Sequence, residues 1–152
     1  MNPTDTRSGT NYTAAELGPA AAWKNYTAEV ASLPGVKIPG KFFLHSLLGL
    51  TGMEVSLNCL PAGMKVPFYH THRTHEELYV FLKGRGQFQV DGEVIEIDEG
   101  TMLRVAPEGK RTWRNNSQDD LYYLVIQAPQ GGLAAPGTED GVTVQRKVTW
   151  PA

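Results

Sequence analysis

The chain has 152 residues, enough for one domain that buries about two thirds of its unfolded surface. Hydrophobic residues make up 41% of it and charged residues 20%, which excludes a collagen-like or a fully disordered chain. Fourteen basic against sixteen acidic residues leave a net charge of −2, without the basic excess that nucleic-acid binding requires. No apolar run is long enough to span a membrane, and no signal peptide is visible. Because the single Cys59 cannot form an internal disulfide, we expect a cytoplasmic protein.

Residues 1–40 are expected to form an N-terminal tail and arm rather than part of the core. Residues 1–11 are small and polar, which predicts a mobile tail. Residues 20–30 could form either a short helix or an irregular segment, because the flanking prolines limit the length of a helix there.

From residue 41 the hydrophobic pattern changes to a period of two. Met53 to Cys59 alternates apolar and polar residues, which predicts a strand with one buried face. Leu78 to Leu82 is apolar on both faces, and Asp91-Gly92 between two alternating runs predicts a two-residue hairpin turn. Short strands at spacings near ten residues, without a long helix, predict an all-β antiparallel sandwich or small barrel over 41–128.

The C-terminal residues 129–152 are predicted to form a linker and a strand. Residues 129–141 are rich in Gly, Pro and Ala, whereas Val142 to Trp150 alternates apolar and polar residues. This strand is expected to cover a sheet edge of its own subunit or of a neighbour. The outer apolar face of Leu78 to Leu82 also needs cover, so we expect a homodimer.

Three of the four histidines lie within six residues, in the segment His70-Thr-His72-Arg-Thr-His75-Glu76-Glu77. Histidines at i and i+2 of a strand share a face, so His70 and His72 can bind one metal ion, with Glu77 from the next strand as an oxygen ligand. His75 is a candidate additional ligand. The alternative is a polar loop with two solvated carboxylates.

Two motifs resemble those of the cupins. Gly63, His70-x-His72, Glu77 and Gly84 are similar to the first cupin motif, and Pro107-x-Gly109, Thr112 and Asn116 to the second. The resemblance covers residues 52–128 and implies a double-stranded β-helix, a jelly-roll barrel, with N- and C-terminal arms. It also implies a divalent metal such as Fe, Mn, Ni or Zn. Metal-binding cupins have a histidine ligand where this chain has Thr112, so the resemblance implies an incomplete ligand set.

A small-molecule ligand is the expected partner, without nucleic acid or membrane. If Thr112 faces the barrel interior, Arg114 shares its facing and could bind an anionic group of a substrate. The aromatic Tyr79 and Phe81 could line the pocket, although a place in the core is the commoner case. The resemblance leaves open a metal-dependent dioxygenase, isomerase or decarboxylase, and also a metal-free binding or sensing module in which Thr112 marks a lost site.

Overall fold

The computed structural model describes residues 5–31 and 34–151. The N-terminal arm contains four short strands and a 3₁₀ turn: β1 (Thr6–Gly9), β2 (Tyr12–Ala15), the turn (Ala20–Asn25), β3 (Thr27–Glu29) and β4 (Lys37–Pro39). The remaining elements are β5 (Lys41–Phe43), α1 (His45–Leu48), β6 (Glu54–Leu60), β7 (His75–Lys83), β8 (Gly86–Val90), β9 (Glu93–Ile97), β10 (Met102–Val105), β11 (Arg111–Arg114) and β12 (Leu121–Pro129).

Two antiparallel sheets enclose the core, as expected for an all-β jelly-roll barrel. The larger sheet has the strand order β10-β7-β12-β6-β5, and the smaller has the order β11-β8-β9. The segment before β7 extends the smaller sheet, because Lys65 and His70 form bridges with Arg114 and Arg111 of β11. All neighbouring strands of both sheets are antiparallel. The two bridges place the segment between β6 and β7 beside β11.

Aromatic side chains from both sheets fill the space between them. Trp113 of β11 stacks on Phe88 of β8 with ring centroids 5.4 Å apart, and its indole N–H donates to the Tyr123 hydroxyl of β12 at 2.9 Å. Tyr79 and Phe81 of β7 are 0% and 1% exposed. This aromatic core gives the inward-facing residues of β7 a rigid support.

The N-terminal arm covers the outer face of β6 and β12. Trp23 and Tyr26 of the arm pack in one buried cluster with Leu57, Cys59 and Tyr122. The sequence predicted that β6 is buried on one face only. This prediction was wrong, because the arm covers the outer face as well. Its polar Ser56 and Asn58 face the barrel interior and are each 2% exposed.

The hairpin at Asp91-Gly92 is confirmed. It joins β8 to β9, and both turn residues have positive φ, 51° at Asp91 and 92° at Gly92. A type I′ turn demands this left-handed backbone at its two central positions.

Two predictions about the chain ends need correction. Residues 1–4 lie outside the described residues, but from Thr6 the chain pairs as the hairpin β1–β2 instead of forming a polar tail. No strand is present over Val142 to Trp150, whose Val142 and Trp150 are 89% and 87% exposed. Alternation by itself does not make a strand, because the backbone also needs a hydrogen-bonding neighbour. None of the helices in residues 5–31 and 34–151 is long and apolar enough to cross a membrane.

Candidate metal centre

The His-x-His pair is held against β11 by backbone hydrogen bonds. The His70 N–H donates to the Arg111 carbonyl at 3.2 Å, and the Arg111 N–H donates back to the His70 carbonyl at 3.1 Å. The His72 N–H donates to the Pro107 carbonyl at 2.8 Å. Both imidazoles are therefore fixed at the same end of the barrel as the first residues of β7.

Glu77 points into the barrel because it alternates with Glu76 along β7. Glu77 is 4% exposed, whereas the Glu76 carboxylate pairs with Arg104 on the outer face at 2.6 Å. The alternation of the strand therefore separates the two neighbouring acids, as their sequence positions predict.

The predicted ligands His70, His72 and Glu77 come together. One potential ligand atom from each lies within 4.8 Å of the other two. His72 Nε2 is 3.0 Å from Glu77 Oε1, and His70 Nε2 is 3.6 Å from Glu77 Oε2. The two histidine side chains keep 27% and 25% of their surface exposed, so the cluster is reachable from solvent.

Glu77 has two further partners that hold its carboxylate in place. The Arg111 guanidinium donates to Oε2 from Nε at 3.0 Å and from Nη2 at 2.9 Å, and the Tyr79 hydroxyl donates to the same oxygen at 2.5 Å. Arg111 is itself fully buried, and its Nη1 donates to the carbonyls of Pro107 and Gly109. This network anchors Oε2 and leaves Oε1 directed toward His72.

The environment of Glu77 keeps it ionised. Burial raises the pKa of this carboxyl, but contacts with His70, His72 and Tyr79 and the charge of Arg111 outweigh burial and hold the pKa far below its ordinary value. The opposite effect acts on Tyr79, where burial and the Glu77 charge hold the hydroxyl pKa well above its ordinary value. Glu77 is therefore an anion and Tyr79 a neutral hydrogen-bond donor at neutral pH.

The residues of this cluster fit a divalent metal. Two imidazoles and one carboxylate are common ligands of Fe, Mn, Ni and Zn in proteins. Among the described residues, the buried His70 Nδ1 has no hydrogen-bond partner, whereas His72 Nε2 faces Glu77 Oε1 at 3.0 Å. Buried polar atoms rarely lack partners, so an unpaired imidazole nitrogen suits a role as a ligand.

His75 is not part of the three-residue cluster. Its ring stacks near that of His72 with centroids 6.4 Å apart, and its Nδ1 lies 3.4 Å from Gln127 Oε1. His75 shares the inward face of β7 with Glu77 but lies two residues nearer the end of the strand. The structure thus brings together three of the four predicted ligands.

The predicted facing of β11 was wrong by one residue. Arg111 and Trp113 point inward, and the Thr112 hydroxyl donates to the Val66 carbonyl at 3.0 Å. Arg114 is exposed, and its Nε donates to Gln87 Oε1 at 2.8 Å. Arg114 was expected inside only if Thr112 faced the interior, and alternation shows which residues share a face but not which face is the inner one.

The sequence reasoning therefore missed Arg111, the β11 residue that contacts Glu77. A signal was available, because Arg111 shares a strand face with the large apolar Trp113, whereas Thr112 shares the other face with Arg114. Of the predicted substrate-contacting residues, Tyr79 touches the cluster through Glu77. Phe81 packs against Phe88 and Tyr123 in the core, which corrects its placement in a pocket.

Comparison with known proteins identifies the family. Residues 57–127 match the cupin domain. The chain is 40% identical to a cupin protein of known structure from Bacteroides fragilis, over 78% of this chain and 97% of that one, with a TM-score of 0.66. The chain belongs to the cupin family.

Two other similarities are more limited. A structure from Thermotoga maritima, named a predicted oxalate decarboxylase, shares the fold at 18% identity over 68% of this chain and 91% of that one, with a TM-score of 0.55. The uncharacterized protein MJ1618 of Methanocaldococcus jannaschii is 31% identical over 70 residues, which are 46% of this chain and 55% of the relative. The chain therefore spans about half the length of that relative.

Proposed function

We propose that this cupin binds one divalent metal ion through His70, His72 and Glu77. The observation that carries the proposal is the convergence of their ligand atoms within 4.8 Å at a solvent-reachable end of the barrel. The buried His70 Nδ1, which has no hydrogen-bond partner among the described residues, supports it. The free, buried Cys59 is compatible with a reducing compartment, and we propose a cytoplasmic location.

The bound metal would supply Lewis-acid or oxygen-activating chemistry toward a small organic acid, sugar or phenolic compound. The chain's own residues keep the site in order. Arg111 and Tyr79 hold Oε2 of Glu77, which fixes the carboxylate plane and leaves Oε1 toward the histidines. A dioxygenase, an isomerase and a decarboxylase are the reaction classes that we propose for such a site.

Metal analysis of the protein, purified without a histidine tag, tests the proposal. We expect about one equivalent of metal after loading with Fe, Mn, Ni or Zn, and weaker binding as the pH is lowered, because protons compete with the metal for its ligands. His72→Ala should lose the metal, whereas His45→Ala should keep it, because His45 lies in α1 outside the cluster. Less than about a tenth of an equivalent in the wild type after loading with each metal would overturn the proposal.

One observation favours a second candidate, a metal-free binding or sensing module. Arg111 already neutralises Glu77, so a metal cation would have to bind beside a guanidinium that competes for the same carboxylate. If this second candidate is correct, the chain should bind none of the four metals. His70→Ala should then alter small-molecule binding without changing the metal content. Metal stoichiometry separates the two candidates.

We also propose that the protein is a homodimer through the outer face of β7 and β10. Leu82 and Met102 on this face are 40% and 68% exposed, and the N-terminal arm does not cover them. The face also carries the pair Glu76 and Arg104, so a two-fold axis could place the acid of one copy opposite the base of the other. Light scattering should give a dimer for the wild type and a monomer for Met102→Glu. A wild-type monomer at micromolar concentration would contradict the proposal.

A further inference from the structure

A second polar cluster lies on the inward face of the larger sheet, where Lys41 contacts Ser56 and Asn58. Lys41 of β5 is directly opposite Asn58 of β6, Asn58 is opposite Tyr123 of β12, and Tyr123 is opposite Phe81 of β7. Phe81 and Glu77 are four residues apart on one strand and so share a face. Lys41 therefore faces the same interior as Glu77.

The Lys41 ammonium group is held in one position. Its Nζ donates to Asn58 Oδ1 at 2.9 Å and to Ser56 Oγ at 3.1 Å, and it lies 4.8 Å from the centre of the Phe43 ring. Asn58 is fixed in turn, because its Nδ2 donates to the Ser56 carbonyl at 2.9 Å. An ammonium group has three N–H donors, and these two acceptors use two of them. One donor of a positioned cation is thus left for another acceptor.

The charge of Lys41 has no directly bound counterion. None of the ion pairs in residues 5–31 and 34–151 includes Lys41, and both of its hydrogen-bond acceptors are neutral. Arg111, the other inward-facing cation in contact with the site, is already paired with Glu77. Burial lowers the pKa of Lys41 to about 8, while the charges of Glu77 and Glu54 oppose this shift, so the group stays largely protonated at neutral pH.

We infer that Lys41, held by Ser56 and Asn58, is the anchor for a carboxylate of the small molecule that binds in the barrel. A half-buried ammonium with a free donor and no acidic partner is a site for an anion. Hydrogen bonds that involve a charged group are stronger than those between neutral groups. This inference rests on the proposed function and narrows its substrate class to small organic acids. The reactive end of such an acid would lie toward His70, His72 and Glu77, and its carboxylate toward Lys41.

Calorimetric titration of the metal-loaded full chain with malonate and with succinate tests the inference. We expect at least one of these dianions to bind, and the uncharged malonamide and succinamide not to bind. Lys41→Met should weaken dianion binding by about tenfold or more, because it removes a charge-assisted hydrogen bond. Lys41→Arg should retain most of the affinity, and the exposed Lys37→Met, a matched loss of one positive charge, should leave it unchanged.

A second variant keeps the inference testable if Lys41→Met folds poorly. Asn58→Asp places a carboxylate at the position of the Lys41 acceptor, so the internal acid should compete with the added dianion and weaken its binding. No binding of either dianion to the wild type, or equal binding to Lys41→Met and wild type, would overturn the inference.

Metal content is measured on the same samples. Lys41-dependent binding without metal would contradict only the proposed metal site, and metal without Lys41-dependent binding would contradict only the anion site.

Discussion

Arg111 and Glu77 form a buried ion pair in which Nε and Nη2 of the guanidinium donate to one carboxylate oxygen, at 3.0 and 2.9 Å. Arg111 is 0% exposed and Glu77 4% exposed. The pair joins β11 to β7 across the barrel and decides the chemistry of the candidate metal centre. It fixes the orientation of Glu77, and together with the contacts from His70, His72 and Tyr79 it keeps the carboxylate ionised.

Removing Arg111 should destabilise the protein strongly. Arg111→Met leaves the Glu77 charge buried without its partner, which typically costs about 3–5 kcal/mol. Urea denaturation of the metal-free protein measures this cost. Arg114→Met removes an arginine from the same strand at an exposed position and should change the free energy of unfolding by less than about 0.5 kcal/mol. A loss below about 1 kcal/mol for Arg111→Met would show that Glu77 does not depend on this pair.

The buried Lys41 should give the protein a distinctive alkaline stability profile. Its pKa is lowered to about 8 in the folded chain, chiefly by burial, against about 10.4 in an unfolded one. Between these values the unfolded state binds more protons, so the free energy of unfolding rises with pH. Wild type should therefore gain stability relative to Lys41→Met from pH 8 to about 10.4, by at most about 3 kcal/mol. Parallel curves for the two proteins would contradict this prediction.

Cys59 should be unreactive in the folded protein. It is 3% exposed, and burial together with the nearby Asp120 raises the pKa of its thiol to about 11. At pH 8 only about one thiol in a thousand is then a thiolate, compared with about a quarter for an ordinary cysteine. Labelling with a chromogenic disulfide reagent at pH 8 should be at least about a hundredfold slower in native protein than in denaturant. Rapid labelling of the native protein would exclude the structural role assigned to Cys59.

Gly40 should not tolerate a side chain. Its φ is +68°, and a Cβ would lie 2.1 Å from the Cys59 carbonyl oxygen. Its carbonyl accepts the Cys59 N–H at 2.7 Å, so the clash would separate β6 from the start of β5 and displace Lys41. We expect Gly40→Ala to cost more than about 3 kcal/mol, combining left-handed strain with overpacking.

The matched control for this variant is Gly35→Ala. Gly35 has a similar φ of +78°, but no atom of the described residues lies within 4 Å of the added Cβ. This substitution should cost about 1–2 kcal/mol from backbone strain alone. Thermal unfolding of both variants separates strain from contact, and equal losses would contradict the role given to the Cys59 carbonyl.

Sequence patterns were sufficient to predict the features that depend only on residues close together in the chain. The Asp91-Gly92 turn follows from the backbone angles that its two residues accept, and the inward facing of Glu77 follows from its position beside an apolar strand. His70 and His72 converge with Glu77 as predicted, but they do not lie on a strand, since His70 forms a single β-bridge and His72 lies between the strands. The short alternating strands at spacings near ten residues predicted the all-β fold, which the structure confirms.

Tertiary packing decided the features that alternation leaves open. A period of two shows that Ser56 and Asn58 share one face of β6. The other face of this strand is also buried, because Trp23 and Tyr26 of the arm pack against it. The C-terminal alternation over Val142 to Trp150 has no strand partner in the described chain and remains exposed.

The sequence by itself determined the all-β class, the main hairpin and the three candidate metal ligands, because these depend on backbone preferences and on residues close together in the chain. Only the tertiary structure placed Arg111 on Glu77 and Lys41 in the interior. The Arg111 contact joins two strands that are not consecutive in the chain, and the face that a strand turns inward depends on which elements cover its other side.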